Sequence, residues 1–434
     1  MLDDTLLDDP AALRRADHDR ALLALAGSGA RVRTALRLAE AAGLDRLRPD
    51  GRPRAVLVAG HGSALTAGEM LAALAGTASL VAPLPPTDAA PVPRTDRATA
   101  PAAFTAGLAW QLPGWAGPLD LLVISSAAGG ERGLVALAEQ AYARGCAIVV
   151  TAPEGSPLAE AALQVRALPL PFVPSADTSD APADDDGERG RGAEPDLPAE
   201  DPAALWAHLA PLLALTQKLG VSPLPYDALA VTADLLDATA VRCRPDAAAY
   251  TNPAKSLAAR LAGTVPLLWA EGPVAGAAAG RFAAQLAERA GRPALAGLLP
   301  QALTAHRGMF TGQLGAGADP DDFFRDRVEE PDPLHLQVLL LRQTAEEAPA
   351  GPGQAGPGFG GAPGEEEDGG PAEVPADDAR PRSFGVTRAH RLAAAHDVRL
   401  TEYASRRPEP LHALVELVAL TDFAAVYLGL AAQS

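Results

Sequence analysis

The most constraining feature of the chain is a set of short runs with no polar residue, each ending in a glycine or serine turn that opens a helix. Ala55-Val56-Leu57-Val58-Ala59 runs into Gly60-His61-Gly62-Ser63 and a small-residue helix from Ala64 to Leu74. Leu121 to Ser126 runs into Ala127-Ala128-Gly129-Gly130 and a helix from Glu131 to Ala143. Cys146 to Thr151 precedes a further helix that starts at Ser156. A strand that faces water on one side alternates apolar and polar residues; one apolar throughout is covered on both faces. Strands of this kind alternating with helices predict a parallel α/β sheet.

The pattern starts again later in the chain. Val265 to Trp269, Pro293 to Leu299, Leu334 to Arg342 and Val398 to Glu402 read as strands. Gly276 to Ala290, Asp321 to Val328 and Arg388 to Ala395 read as helices. Ala102 to Trp110 is expected as a helix, and Leu411 to Leu430 as an apolar amphipathic one. The organisation expected is N-terminal helices over 1–49, a first lobe over 50–173, interdomain helices over 202–249 and a second lobe over 250–434. At the start of the second lobe Asn252 caps a helix that has Pro253 at its first position.

Charge separates these lobes from two insertions. The net charge is −18. Pro174 to Asp201 holds ten acids and two arginines, and Glu346 to Pro381 holds nine acids and one arginine. Each stretch therefore carries −8, and the remainder of the chain −2. Both stretches, rich in Gly, Pro and acids, are expected to be disordered, since they cannot bury enough apolar surface to offset their ordering entropy. No basic stripe suits nucleic acid. No apolar run reaches the ~18 residues of a membrane span without a charge or a breaker, and Met1 to Asp9 lacks a basic leader. Cys146 and Cys243 give neither a disulfide framework nor metal-ligand spacing. A cytoplasmic protein with no membrane and no nucleic-acid partner is expected.

Three places could carry chemistry. Gly62 and Ser63 open a helix, where free backbone N–H groups can hold an anion. Ser125 and Ser126 end the neighbouring strand and could add hydroxyl donors. Ligands of open α/β sheets sit outside the carboxyl ends of the strands, where both loops fall. In the second lobe stand Lys255, Gln301 and His306. Each has an ordinary alternative: a tight turn, serine caps, a surface lysine, a structural histidine.

At these residues the chain resembles the SIS (sugar isomerase) domain family, in particular its tandem-SIS bifunctional phosphoglucose/phosphomannose isomerases. The family's first loop, G-M-G-G-S-A-x-A-G-D, corresponds to Gly60 to Glu69, and its second, S-Y-S-G-N-T-E-E, to Ser125 to Arg132. Its N-P-A-K segment is Asn252 to Lys255, its R-x-x-x-Q-x-x-E-N-A helix is Arg281 to Ala290, and the C-terminal helix fits as well. The resemblance implies two SIS lobes and interconversion of glucose 6-phosphate or mannose 6-phosphate with fructose 6-phosphate through an enediol, without metal or nicotinamide. It implies Gly62, Ser63, Ser125 and Ser126 at the phosphate, His306 for ring opening, and Lys255 at the phosphate or in a structural bond. It also implies a homodimer. The family's catalytic glutamate corresponds to Gln301, an amide that cannot abstract a proton. Family hydroxyls fall on Ala127 and Gly130, the asparagine after the family histidine is Arg307, a family arginine is lost at Asp201-Pro202, and Leu428 to Ser434 holds no lysine. A non-catalytic SIS protein that binds a phosphosugar or a partner enzyme is the alternative, and an assembly protein a third reading.

Overall fold

The computed structural model describes residues 4–46, 51–89, 107–174, 200–312, 334–344, 371–373 and 383–432. They form two compact units: a first unit, Asp17–Asp237, and a second unit made of Met1–Ala16 and Ala238–Ser434. The N-terminal helices are thus divided. Asp4–Leu7 and Pro10–Ala16 belong to the second unit, where Leu7 and Leu13 are buried. Ala21–Ala26 and Ser28–Ala41 belong to the first. The division at 237/238 cuts the helix Ala228–Arg242, within the segment expected to be interdomain.

In the first unit, β1 (Ala55–Ala59), β2 (Leu80–Leu84), β5 (Asp120–Ser125), β6 (Ala147–Ala152) and β7 (Leu168–Pro171) form a parallel sheet in the order β2-β1-β5-β6-β7. Every residue of β1 and β5 is buried. Leu57, Leu122, Ile124, Ile148 and Val150 pack on one face with Leu134, Leu137 and Leu158 of the helices Arg132–Ala143 and Pro157–Gln164. Area removed from water on both faces is the main stabilising contribution here. A two-stranded antiparallel piece, β3 (Asp88–Ala89) and β4 (Leu108–Ala109), stands beside this sheet. Within the expected helix Ala102 to Trp110, of which 107–110 is described, Gly107 is helical and Leu108–Ala109 is strand. Trp110 explains it: its Nε1 donates to the Leu84 carbonyl at 3.1 Å, and Thr87 N–H donates to the Ala109 carbonyl at 2.8 Å.

The second unit has β8 (Thr264–Ala270), β9 (Leu295–Leu298), β10 (His335–Gln343), β11 (Ala372–Glu373) and β12 (Arg399–Ser405), in the order β11-β12-β10-β8-β9. All pairings are parallel except β11 with β12. The helices Gln301–Ala305, Arg307–Thr311 and Phe384–Ala395 contribute to a cluster with Leu267, Trp269, Val338 and Leu340. The helix Gly272–Ala290 packs against the C-terminal helix Pro410–Ala432.

The C-terminal helix is not amphipathic. From Leu411 to Ala431 only His412 is other than buried, because this helix runs through the interior of its unit. Its buried polar groups are matched internally. Glu416 accepts from Ser405 Oγ (2.7 Å) and Arg407 Nε (2.9 Å), Arg281 Nη2 reaches Asp422 at 3.1 Å, and Tyr427 donates to the Cys243 carbonyl at 2.7 Å. At Gly429 a β-carbon would sit 2.1 Å from the Arg289 carbonyl oxygen, so only glycine permits this helix contact. Among the described residues this is the one helix long and apolar enough to cross a membrane, and it is wholly buried.

Most of both acidic insertions lies outside the described residues, as does Asp321 to Val328. The exceptions are instructive. Glu200 and Asp201, assigned from sequence to the first disordered stretch, make defined contacts in the first unit. Ala372 and Glu373, assigned to the second, pair with β12, and Glu373 accepts from Arg260 at 2.6 Å.

Candidate functional site at the sheet switch points

Both sheets reverse direction at one point. In the first unit the chain passes from β1 outward to β2, then returns to the other side of β1 as β5. In the second it passes from β8 to β9, then to the far side of β8 as β10. Loops leaving the carboxyl ends of two such strands diverge and leave a crevice, the usual ligand site of open α/β sheets.

At the first switch point β1 ends in Gly60 to Ser63 and β5 in Ser125 to Glu131. Gly62 caps the helix Ser63–Ala75 with φ 56° and ψ −134°, a conformation only glycine adopts freely. The Ser63 N–H at this helix start is already engaged: it donates to Glu200 Oε1 at 2.6 Å. Next to Glu200, Asp201 pairs with Arg31 and accepts from the Ala203 N–H at 2.9 Å, so this carboxylate sits on an anchored segment.

The two serines are engaged as well. Ser125 Oγ lies 2.7 Å from Nδ1 of the buried His208, which stacks on Phe172. Burial above all, with the positive charge of Arg31 next, pulls the His208 pKa down to about 3, so its imidazole is neutral. Ser126 Oγ accepts from the N–H groups of Ala128 (3.1 Å) and Gly129 (2.7 Å) and donates to the carboxylate of Glu131 (2.7 and 2.8 Å). Its hydrogen-bonding capacity is used in closing its own loop.

Glu131 is fully buried and faces His61, whose Nε2 is 2.9 Å from Oε1. Burial, the largest influence, pushes the Glu131 pKa up. Hydrogen bonds from His61, Ser126 and its own backbone N–H outweigh it, and the carboxylate titrates below its usual range. His61 stays partly open to solvent, with 32% of its side chain exposed.

The second switch point carries an ion network. Glu271 follows β8 and accepts from Arg342 Nε of β10 at 2.6 Å. Arg342 also binds Glu402, whose other oxygen lies 3.0 Å from His390 Nε2. Gln301 is exposed at the start of its short helix. His306 follows that helix, and its Nδ1 accepts from Trp269 Nε1 at 2.9 Å; burial lowers its pKa.

Lys255 is buried inside the second unit. Its Nζ donates to the carbonyls of Leu7 (2.6 Å), Pro245 (2.7 Å) and Ala247 (2.8 Å), and lies 5.5 Å from the Tyr427 ring centre. All three ammonium hydrogens are committed inside the unit, leaving none for a phosphate. Lys255 is the structural lysine of the two roles weighed, holding the N-terminal segment down.

The loops of Gly62, Ser63, Ser125 and Ser126 therefore meet at one sheet edge, as expected. His61, Glu131, His208 and Glu200 complete that edge and were not singled out from sequence. No cluster of three or more metal-ligating side chains occurs among the described residues. Two cavities lie elsewhere. One, of about 330 Å³, is lined by Leu23, Thr34 and Phe172; the other, of about 660 Å³, lies at the opposite, amino ends of β8, β10 and β12, by Thr264, His335 and Arg399.

Residues 250–350 match the family model of the C-terminal SIS domain of bacterial phospho-glucose isomerase. That segment is a SIS domain. Likeness of fold extends over nearly the whole chain. A hypothetical protein of Thermus thermophilus superposes with a TM-score of 0.55 at 14% identity, over 98% of this chain and 89% of that one. A candidate phosphosugar isomerase of Clostridium difficile 630 superposes with a TM-score of 0.52 at 11% identity, over 94% of this chain and 91% of that one. No curated protein matches the chain in sequence.

Proposed function

We propose that this SIS protein binds a hexose 6-phosphate and interconverts its aldose and ketose forms, fructose 6-phosphate with glucose 6-phosphate or mannose 6-phosphate. The observation that carries the reading is the match of residues 250–350 to the SIS domain of bacterial phospho-glucose isomerase. Polar side chains gathered at both switch points support it, since that is where such sheets bind ligands. The isomerisation needs a phosphate anchor, a proton-transfer base and a group that opens the sugar ring. His306, in the matched segment, is the ring-opening group in this reading, and Gln301 orients the substrate. Ser63 and Ser125 lie at the phosphate edge. The same reading carries a cytoplasmic homodimer, on the resemblance alone.

A second reading has specific support. Gln301 cannot act as a base, Ser126 is consumed in its loop, and the helix N-terminus at Ser63 is held by the chain's own Glu200. These favour a protein that binds a phosphosugar without turnover.

Thermal-shift titration with the three hexose 6-phosphates and with the unphosphorylated sugars separates the readings when run beside a turnover assay on the full chain. A melting rise with the phosphates only, together with conversion of fructose 6-phosphate, is expected. A rise without conversion selects the second reading, and neither effect removes both.

A further inference from the structure

An isomerase with an amide at the family base position needs its proton-transfer group elsewhere, and the first switch point holds a candidate. His61 follows β1 and Glu131 follows β5, and the two meet across the point where the sheet reverses. Beside a carboxylate, the imidazole Nε2 carries the hydrogen and donates it. That leaves Nδ1 as the lone-pair nitrogen, and it has no hydrogen-bond partner among the described residues. Trp110 stands beside the imidazole, with ring centres 6.4 Å apart.

The supporting carboxylate is fixed more firmly than a surface ion pair would be. Glu131 is wholly buried, and Ser126 holds both of its oxygens while Ser126 is itself held by two backbone N–H groups. The anion cradle at Gly62 and Ser63 begins at the very next residue after His61. A partly exposed imidazole, oriented by a buried carboxylate and adjoining a helix N-terminus, is what proton abstraction beside a phosphate requires. The contrast with the second unit is informative. There Glu402 also supports a histidine, His390, but Arg342 binds both Glu402 and Glu271, so that carboxylate's charge is already neutralised by a cation.

We propose that His61 is the proton-transfer base of this SIS protein and that Glu131 is its positioning residue. The inference rests on the isomerase reading above. Nδ1 of His61 takes the proton from C2 of the open-chain aldose as the C1 carbonyl oxygen gains one, giving the enediol. The imidazolium, whose Nδ1 hydrogen exchanges with water, then delivers a proton to C1 as the C2 hydroxyl loses its hydrogen, giving the ketose. The hydrogen leaving O2 balances the one gained by O1, and no oxidant or reductant takes part. Glu131 faces the imidazolium formed on the way.

The test uses the full chain and fructose 6-phosphate. His61→Asn should lower kcat by about 10²–10⁴-fold with KM and the ligand-induced melting shift changed less than about threefold. Glu131→Gln should lower kcat and displace the acidic limb of the pH–rate profile, and Glu131→Asp should restore part of the rate. Glu200 at Gly62 and His208 behind Ser125, the other titratable groups at this edge, are present in every variant. His18→Asn, at an exposed histidine outside both switch points, serves as the control and should leave kcat unchanged, and His390→Asn is the comparison at the second switch point. Retention of wild-type turnover by His61→Asn overturns the proposal while the isomerase reading stands. Loss of turnover in His390→Asn instead transfers the role to the second unit and overturns it equally. A wild type that binds hexose phosphate without turnover removes His61 as a base and leaves the binding reading in place.

Discussion

The carboxylate of Glu200 accepts the backbone hydrogen of Ser63 at 2.6 Å, at the helix start where the SIS reading places a phosphate. A negative side chain there is favoured by the helix dipole and by the N–H groups of the first helical turn, the same two terms that would hold a phosphate. Ligand and side chain therefore compete for one position. Glu200→Ala is expected to tighten binding of inorganic phosphate and of hexose 6-phosphates by about tenfold, equivalent to ~1.4 kcal/mol. Titration calorimetry at low and high salt checks it, with the gain shrinking as salt screens the charge.

Lys255 predicts the reverse division of effects. Replacing it by Met leaves the carbonyls of Leu7, Pro245 and Ala247 without their donor in a buried site. Each unsatisfied buried group costs about 1–3 kcal/mol, so a loss of several kcal/mol of stability is expected. Urea unfolding of Lys255→Met should give a much lower midpoint, while phosphate affinity in the first unit stays within about twofold of wild type.

His208 makes stability depend on pH. Its pKa is about 3 in the folded chain against an ordinary 6.5, so the unfolded chain takes up the proton first. The contribution is fully present above pH 6.5 and is lost as pH falls from 6.5 toward 3, by up to about 1.4 kcal/mol per pH unit. Urea melts at pH 7, 6, 5 and 4 should show this slope, and His208→Asn should reduce it by about one proton.

How far these sites were legible in the sequence depends on what each residue touches. β1 and β5 were plain because burial on both faces leaves no polar position to blur them. β7 was not: Leu168–Pro171 carries two prolines and lies at the sheet edge, where missing N–H groups are tolerated. The C-terminal helix was misread because its few polar residues suggested a wet face, whereas Glu416, Asp422 and Tyr427 are each answered by a partner distant in sequence or on another element.

The site divides in the same way. The loops at Gly62 and Ser125 were visible because local turn chemistry marks them. The His61–Glu131 pair was not, because 70 residues separate its members and only the β1/β5 register joins them. Glu200 was hidden in a charge run, where one acid among ten looked interchangeable with its neighbours.

The central proposal, that this chain moves a proton between C1 and C2 of a hexose 6-phosphate, is tested most directly by incubating fructose 6-phosphate with the full chain in deuterium oxide and following the sugar by NMR. The account predicts deuterium at C1 of the ketose or C2 of the aldose, with glucose 6-phosphate or mannose 6-phosphate appearing. Fructose 6-phosphate recovered unchanged and free of deuterium, from a chain whose melting temperature it raises, would contradict it.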